Sequence, residues 1–475
     1  MIDLKKQIKK IYHDWSYDEY IFEKKGTAGF EGITYKRFIE KSLGIAKYLL
    51  ESGYKDKSII LLSENSTNLM ACDLAITFYV GKSCIICKEW NKEDITESIK
   101  EIDAGVLICS ERYKDIASKI RKEIPIEILK MESVGMNFSI SLLEMPVKEY
   151  DETAKIVFSS GTTGKSKGVM LSLRNIFSGF NSLQKRCHLS HDDTAYMFLP
   201  MHHTYASVCH FMYSLITGHR IYISSSTSNI ARELIEVNPT IFCCVPIVIK
   251  NLCDSYKDNI DKAFGNKIRC VICGGAALEK KYRQMFADKN MNLMQTYALT
   301  ECSSSFTLAY PGCDDFESAG ELYEDIDVKI ADADKDGIGE ITVKGDNVFK
   351  GYTDLSLNAI VFDENGYFHT GDLGFIKDNK LYVKGRKKKM LLTGNGENVS
   401  AAKIEELIKS KSNCIKDVKA YIKNDKIGVN IYVGDMDGSV DYQGIIDSYN
   451  EMATPYERVS FYRIYENSID SRLKQ

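Results

Sequence analysis

The chain is 475 residues long, 44% hydrophobic and 27% charged, enough to bury large cores and to form more than one domain. A net charge of −4, with lysine and acid spread evenly, excludes a basic face for nucleic acid and a polybasic run for anionic lipid. The opening Met1-Ile2-Asp3-Leu4-Lys5-Lys6 has no apolar signal-peptide core, and the most apolar stretch, 68–87, is broken by Asp73 and Lys82; a cytoplasmic protein with no integral membrane segment is expected.

Fourteen cysteines without regular spacing fit reduced thiols. Cys84/Cys87 and Cys270/Cys273 have C-x-x-C spacing, yet each pair lies in a Val/Ile-rich run with no histidine beside it. Buried strand cysteines are expected there, rather than zinc or redox chemistry.

Residues 1–30 show no clear period. Beyond them Phe38, Leu43, Ala46, Leu49 and Leu50 trace a helix that ends at Gly53, and a strand is predicted over 58–62. A helix over 68–79, a strand over 83–87, a helix over 93–102 and a strand over 105–109 follow. Strands alternating with helices predict a doubly wound sheet with mainly parallel strands.

The apolar run Ile156-Val157-Phe158 then feeds Ser159-Ser160-Gly161-Thr162-Thr163-Gly164-Lys165-Ser166-Lys167-Gly168, before the chain turns apolar again at Val169-Met170. Strand, flexible loop, then strand or helix is the expected order. Glycine lets a backbone approach a bulky anion and take φ > 0, while the hydroxyls with Lys165 and Lys167 supply donors and positive charge. The loop is therefore read as phosphate-binding. It is not a P-loop, since Ser159 stands where that pattern needs glycine. A mobile hydroxyl-rich surface loop is the competing reading.

The alternation resumes with strands over 194–199, 240–245 and 268–273. The first runs into Pro200-Met201-His202-His203-Thr204-Tyr205 and the third into Gly274-Gly275-Ala276-Ala277-Leu278. Small-residue turns at strand ends are where the crevice of an α/β sheet opens, which makes Gly274, Gly275 and Ala276 candidate ligand contacts. From about 316 the pattern is hairpin-like, with strands over 328–330 and 340–343. The turn between them, Asp332-Ala333-Asp334-Lys335-Asp336-Gly337, opens like an EF-hand loop, but its closing position is Val343, so a solvated turn is expected. After a strand over 381–383, Gly385-Arg386-Lys387-Lys388-Lys389 reads as a charged hinge, followed by a helix over 401–409 and strands over 418–422 and 427–433. The expected fold is α/β: a large multi-layered N-terminal domain of doubly wound sheets plus a β-subdomain over 1–384, and a small α+β C-terminal domain over 385–475.

Residues 158–169 resemble the phosphate-binding signature of the adenylate-forming (AMP-binding) superfamily, and further motifs recur in that family's order from about residue 30 to the C-terminus. Gln295-Thr296-Tyr297-Ala298-Leu299-Thr300-Glu301 resembles the family's adenine and metal motif, with Ala298 where the family has glycine. By that resemblance Tyr297 would lie against adenine, Thr300 would reach the α-phosphate and Glu301 would hold Mg²⁺. His369-Thr370-Gly371-Asp372-Leu373-Gly374 is similar to the ribose motif. Asp372 would accept from the sugar hydroxyls and Arg386 would reach the same sugar; an Asx-type turn is the alternative.

Leu199-Pro200-Met201-His202-His203 looks like the motif before the acyl pocket, with His203 gating or orienting, and 203–208 and 274–278 would help wall that pocket. No aspartate stands in 204–207 to hold an α-amino group, which weighs against an amino acid substrate. Asn395-Gly396-Glu397-Asn398-Val399-Ser400 with Lys403-Ile404-Glu405-Glu406 resembles the C-terminal signature of long- and medium-chain acyl-CoA synthetases, whose small domain rotates after adenylation. Lys474, in Ser471-Arg472-Leu473-Lys474-Gln475, is the candidate for the family's catalytic lysine, without the glycine that usually precedes it.

The resemblance implies ATP- and Mg²⁺-dependent activation of a fatty or aryl carboxylic acid to an acyl-adenylate, with release of pyrophosphate. Transfer to a thiol would follow, with CoA ahead of a carrier protein's phosphopantetheine arm. A stand-alone enzyme loading an acyl or peptidyl carrier protein, and a non-catalytic nucleotide-binding homologue, are the alternatives.

Overall fold

Among the described residues, two seven-stranded sheets, one six-stranded sheet and two small C-terminal sheets are formed. The structure is a computed structural model that describes residues 2–24, 29–135, 139–159, 166–303, 305–310, 313–387, 390–392, 398–423, 426–434, 440–453 and 457–466.

The strand Ile241–Cys244 shows why the first sheet forms. All of it is buried, as a strand covered on both faces must be, and alternate side chains go opposite ways. Phe242 and Cys244 enter one core with Leu234, Leu252 and Phe264, while Ile241 and Cys243 join another with Leu189 and Met197. In spatial order the sheet is Leu293–Gln295, Cys270–Cys273, Ile241–Cys244, Thr194–Met197, Arg220–Ile223 and Glu19–Lys24, all parallel, with Phe30–Thr34 antiparallel at the edge.

The second sheet runs Gly351–Tyr352, Lys167–Ser172, Thr153–Ser159, Lys82–Ile85, Ser58–Leu62, Ala104–Cys109 and Glu127–Lys130. Lys167–Ser172 is antiparallel to both its neighbours, and the remaining pairs are parallel. The loop read as phosphate-binding therefore connects a hairpin in which Phe158 pairs with Gly168 and Ser159 with Lys167. Residues 160–165 of that loop lie outside the described residues. Under the hairpin, Lys155 and Asp73 form an ion pair at 2.5 Å with 1% and 0% of their side chains exposed, and Ser83 Oγ donates to the same oxygen at 2.5 Å.

The third sheet is antiparallel and holds Phe368–Lys377 between Lys380–Arg386 and Gly339–Lys344. The turn before Gly339–Lys344 is the solvated one expected: Asp334 Oδ1 accepts from the main-chain N–H of Asp336 (2.9 Å) and of Ile338 (3.0 Å). At the C-terminal end, helices Ala401–Lys409 and Tyr442–Met452 pack on strands Ile415–Lys423, Lys426–Val433 and Val459–Glu466. They form a smaller unit with its own core around Ile404, Ile408, Val418, Val429, Ile431 and Tyr449.

Three differences from the sequence reading have physical causes. The first thirty residues do carry structure, a helix over Leu4–Asp14 capped by Asp3 and the strand Glu19–Lys24; the buried stripe Leu4, Ile8, Ile11, Tyr12 has helical spacing that the intervening lysines obscure. The helix expected over 68–79 is α-helical only over Thr67–Ala75 and widens to a π turn over Ile76–Val80. Gly385 and Arg386, expected to open a hinge, are the last residues of the strand Lys380–Arg386, paired with Leu373 and Asp372, because the charged side chains of that stretch have partners in the sheet. Lys388 and Lys389 lie outside the described residues.

Cys84, Cys270 and Cys273 are buried on strands, and Cys87 is half-buried just past one. Among the described residues no helix is long and apolar enough to cross a membrane.

Candidate active site

A cavity of about 1470 Å³ is lined by strand ends from all three large sheets. The first sheet contributes Leu199, Val245, Gly274, Gly275 and Thr296, each just beyond the C-terminal end of a parallel strand, where such crevices open. A Cβ at 274 would lie 2.7 Å from Thr296 Cγ2 and force that side chain to shift.

One end of the cavity is polar. Ser159 and Lys167 reach it from the hairpin, Thr300 and Glu301 from the turn Thr300–Cys302, and Gly371 and Arg386 from the third sheet. Glu301 accepts the Tyr352 hydroxyl at 2.7 Å, and the Lys167 ammonium lies 5.1 Å above the centre of the Tyr352 ring. Behind the lining, Asp372 is already engaged: the Tyr297 hydroxyl donates to one oxygen and Arg386 Nε donates to the other at 2.9 Å. Burial nonetheless raises the Asp372 carboxyl above the ordinary aspartate range, Arg386 and the Tyr297 hydrogen bond only partly opposing it. Gly371, with φ +73°, turns the chain before it.

A helix end completes this region. Glu101, last residue of the helix Lys92–Glu101, lines the cavity and accepts from Thr353 Oγ1 at 2.5 Å and from the Gly168 main-chain N–H at 3.4 Å. It thereby ties the phosphate hairpin to the strand that bears Tyr352.

The other end is apolar. Ile241, Cys243 and Val245, alternate residues of one strand and its extension, line it with Leu183, Leu189 and Ile272. Tyr205, Cys209 and His210 face the cavity from the π-helical segment Tyr205–Met212, whose wide turn brings residues five apart into line. His203 opens onto the cavity at its rim, its ring 4.2 Å from that of His202. Desolvation by the protein around the rings lowers His203, although it is exposed, from the ordinary histidine value and, with His203 beside it, pushes half-buried His202 down to about 4.

The structure thus gathers Ser159, Lys167, His203, Gly274, Gly275, Thr300, Glu301 and Arg386 around one cavity, with Tyr297 and Asp372 bonded to each other just behind. Ala276 is not among the lining residues; its carbonyl accepts from Gln295 Nε2 at 3.2 Å. Of the expected pocket walls, Gly274, Gly275, Thr204 and Tyr205 line the cavity, whereas Ala206, Val208 and Leu278 are packed into cores. Ser160, Gly161, Thr162, Thr163, Gly164, Lys165 and Lys474 lie outside the described residues, as does 395–397. Sequence reasoning missed Glu101, Tyr352, His210 and His219. The alternation of Ile241, Cys243 and Val245 was the one legible signal for the apolar end.

A crevice at the ends of doubly wound strands, polar at one end and apolar at the other, with a small α+β unit following it, defines the adenylate-forming class of enzyme. Residues 18–353 match the family described as AMP-binding enzyme, and the chain belongs to that family. The 2-succinylbenzoate–CoA ligase of Oceanobacillus iheyensis is 26% identical over 385 residues, spanning 79% of this chain and 78% of that one. Among solved structures, the o-succinylbenzoate CoA synthetase of Bacillus subtilis, in complex with the acyl-adenylate intermediate OSB-AMP, superposes with a TM-score of 0.84 at 19% identity, covering 99% of this chain and 96% of that one. The anthranilate CoA ligase AuaEII, in complex with anthranoyl-AMP, has a TM-score of 0.82 at 15% identity, covering 98% and 94%.

Proposed function

We propose that the protein activates an aromatic carboxylic acid with ATP, releasing pyrophosphate, and passes the acyl group from the resulting acyl-adenylate to CoA. One observation carries this reading: the polar, phosphate-directed residues and the apolar chamber share a single cavity. The family match and the relatives named as CoA ligases of aryl acids support it, and they favour an aryl over a fatty acid and CoA over a carrier-protein arm. A cytoplasmic location, where ATP and CoA are met, is kept with it.

The chemistry asks for charge neutralisation more than for a dedicated base. A carboxylate oxygen attacks the α-phosphorus, the bond to pyrophosphate breaks, and the acyl carbon acquires AMP as a leaving group. Sulfur then attacks that carbon, AMP departs with the electron pair, and the thiol proton is lost. Lys165, Lys167 and the hydroxyls of the hairpin loop would hold the triphosphate, and Thr300 the α-phosphate. Asp372 and Arg386 would hold the ribose and Tyr297 the adenine; with one bond on each Asp372 oxygen, each keeps a second lone pair for a sugar hydroxyl. His203, kept neutral, can orient the acid without adding charge, and Lys474 would meet the carboxylate and α-phosphate.

Glu301 brings a carboxylate to the polar end of the cavity, which fits Mg²⁺, an ion that takes one or two carboxylates and completes its shell with phosphate oxygens and water. Glu301, pinned by Tyr352 at one oxygen, is the residue that would hold it. When bound, the ion supplies positive charge beside the phosphates. The junction between the large and small units is read as falling beyond Arg386, where the strand Lys380–Arg386 ends.

The test is acid-dependent exchange of pyrophosphate into ATP over a panel of aryl and fatty acids, followed by CoA and a carrier protein offered as competing acceptors. Exchange with aryl acids that falls at least about tenfold in Lys165→Ala and Lys474→Ala is expected. ATP binding without exchange on any acid would overturn the reading.

A further inference from the structure

Glu101 joins three elements at the polar end of the cavity. Its helix, Lys92–Glu101, packs Ile95 and Ile99 into one core with Ile156 and Phe158, which fixes the helix to the strand entering the phosphate loop. From the last turn of that helix the carboxylate crosses to the strand leaving the loop, Lys167–Ser172. One oxygen, Oε1, accepts from Thr353 Oγ1 at 2.5 Å and, at a longer 3.4 Å, from the Gly168 main-chain N–H. Thr353 in turn donates its main-chain N–H to the Gly168 carbonyl at 2.8 Å. A Cβ at Gly168 would lie 2.5 Å from Thr353 Oγ1 and 3.3 Å from Glu101 Oε1, so a side chain there would push the three residues apart.

Thr353 ends a segment whose other residues touch the groups assigned above to phosphate and metal. The Lys350 main-chain N–H donates to the Met170 carbonyl at 2.9 Å, and Gly351 and Tyr352 pair with Met170 and Val169 of the hairpin. Phe349 donates its main-chain N–H to the Glu301 main-chain carbonyl at 2.8 Å, and the Tyr352 hydroxyl donates to the Glu301 carboxylate at 2.7 Å. The Tyr352 ring lies beneath the Lys167 ammonium. Residues 349–353 thus tie Glu301 to the hairpin, and Glu101 fastens the far end of that tie from a third element. A charged acceptor makes the stronger kind of hydrogen bond, so the fastening is firm.

We propose that Glu101 is a positioning residue for the nucleotide: by holding Thr353 and Gly168 it sets the place of Lys167 and, through Tyr352, that of Glu301, acting through those two rather than on the reacting atoms. This rests on the ATP placement in the function proposed above. Such a residue governs the phosphate end of the cavity alone, so its loss should be felt by ATP and not by the acid.

The test uses the full-length enzyme with ATP, Mg²⁺ and an aryl acid that the wild type accepts. Glu101→Ala removes the acceptor, Thr353→Val removes the closer donor, and Glu101→Gln keeps an acceptor oxygen. In Glu101→Ala and in Thr353→Val, ATP affinity by titration calorimetry should weaken at least about fivefold and kcat for pyrophosphate exchange should fall as much, while the KM for the acid stays within about twofold. The double variant should lose about as much as the worse single one, since both changes remove the same interaction, and Glu101→Gln should recover most of the loss. A merely structural residue would instead lower the folded fraction, seen in the melting curve, and kcat with it, leaving the affinity of the folded protein for ATP unmoved. Wild-type ATP affinity in the folded single variants, losses that add in the double variant, or an acid KM that rises along with that for ATP would overturn the proposal. Should Glu101→Ala fail to fold, Thr353→Val decides. No exchange by the wild type with any acid would refute the ligase reading, and the ATP titrations would still decide this one.

Discussion

Glu301 is oriented by a hydroxyl 51 positions away, that of Tyr352, at 2.7 Å. Removing the carboxylate and removing its orienter should therefore differ in degree. Glu301→Gln is expected to lower pyrophosphate exchange about 10²- to 10³-fold, and Tyr352→Phe about tenfold with little change in ATP affinity. Equal losses would mean that Tyr352 does more than hold its neighbour. Asp372 makes a different prediction. Its carboxyl is raised by burial, so it takes a proton at a higher pH than an ordinary aspartate and then loses acceptor capacity. ATP affinity should weaken on acidification, and Asp372→Asn should cost about 1.5–3 kcal/mol of it at neutral pH and flatten that dependence, as read by isothermal titration. Tyr297, Thr300, Glu301 and Asp372 could be singled out from short motifs, and the structure brings all four to the cavity or just behind it. His210 could not be: it lies in Ser207-Val208-Cys209-His210-Phe211, an apolar run in which only the π-helical turn directs the imidazole to the cavity.

At the scale of elements, the strand Thr153–Ser159 bears the phosphate loop and is anchored by a buried charge. Lys155→Met should leave Asp73 charged and unpaired in the core, costing about 3–5 kcal/mol by denaturant titration. A double variant that also replaces Asp73 by Asn should recover part of that loss. A Lys155→Met protein as stable as wild type would show that the ion pair does not anchor the strand. Elements with a continuous apolar run, such as Ser58–Leu62, were read with correct ends because both faces of a central parallel strand are covered. The helix Leu4–Asp14 and the strand Val459–Glu466 were missed, since single lysines or tyrosines on a half-covered element blur the period that a core-facing stripe would otherwise give. In the charged run at 385–389, read as hinge-like, Arg386 pairs with Asp372 and Lys387 with Glu340, while Lys388 and Lys389 lie outside the described residues.

For the molecule as a whole, the two chamber histidines link global stability to pH. In the fold His210 and His219 are held by burial at about 3 and about 4, while in an unfolded chain each titrates near ~6.5. Above that value neither state is charged and their contribution is complete; below it the unfolded chain binds protons that the fold refuses. Stability should therefore fall as pH drops from about 6.5 toward 4, by up to about 1.4 kcal/mol per pH unit for each histidine. Urea titrations at pH 7, 6 and 5 should give a shallower decline for His219→Asn than for wild type, and matching slopes would show that His219 contributes nothing to it.

The short strand Gly351–Tyr352 closes the open side of Lys167–Ser172 from about 180 positions later in the chain. During synthesis the ribosome needs roughly ten to forty seconds to deliver it, and for that interval the hairpin presents bare main-chain donors and acceptors to any other emerging polypeptide. Yield of this enzyme in a cell should thus be governed by chaperone supply and translation speed over 173–350 as much as by how firmly the finished molecule holds together.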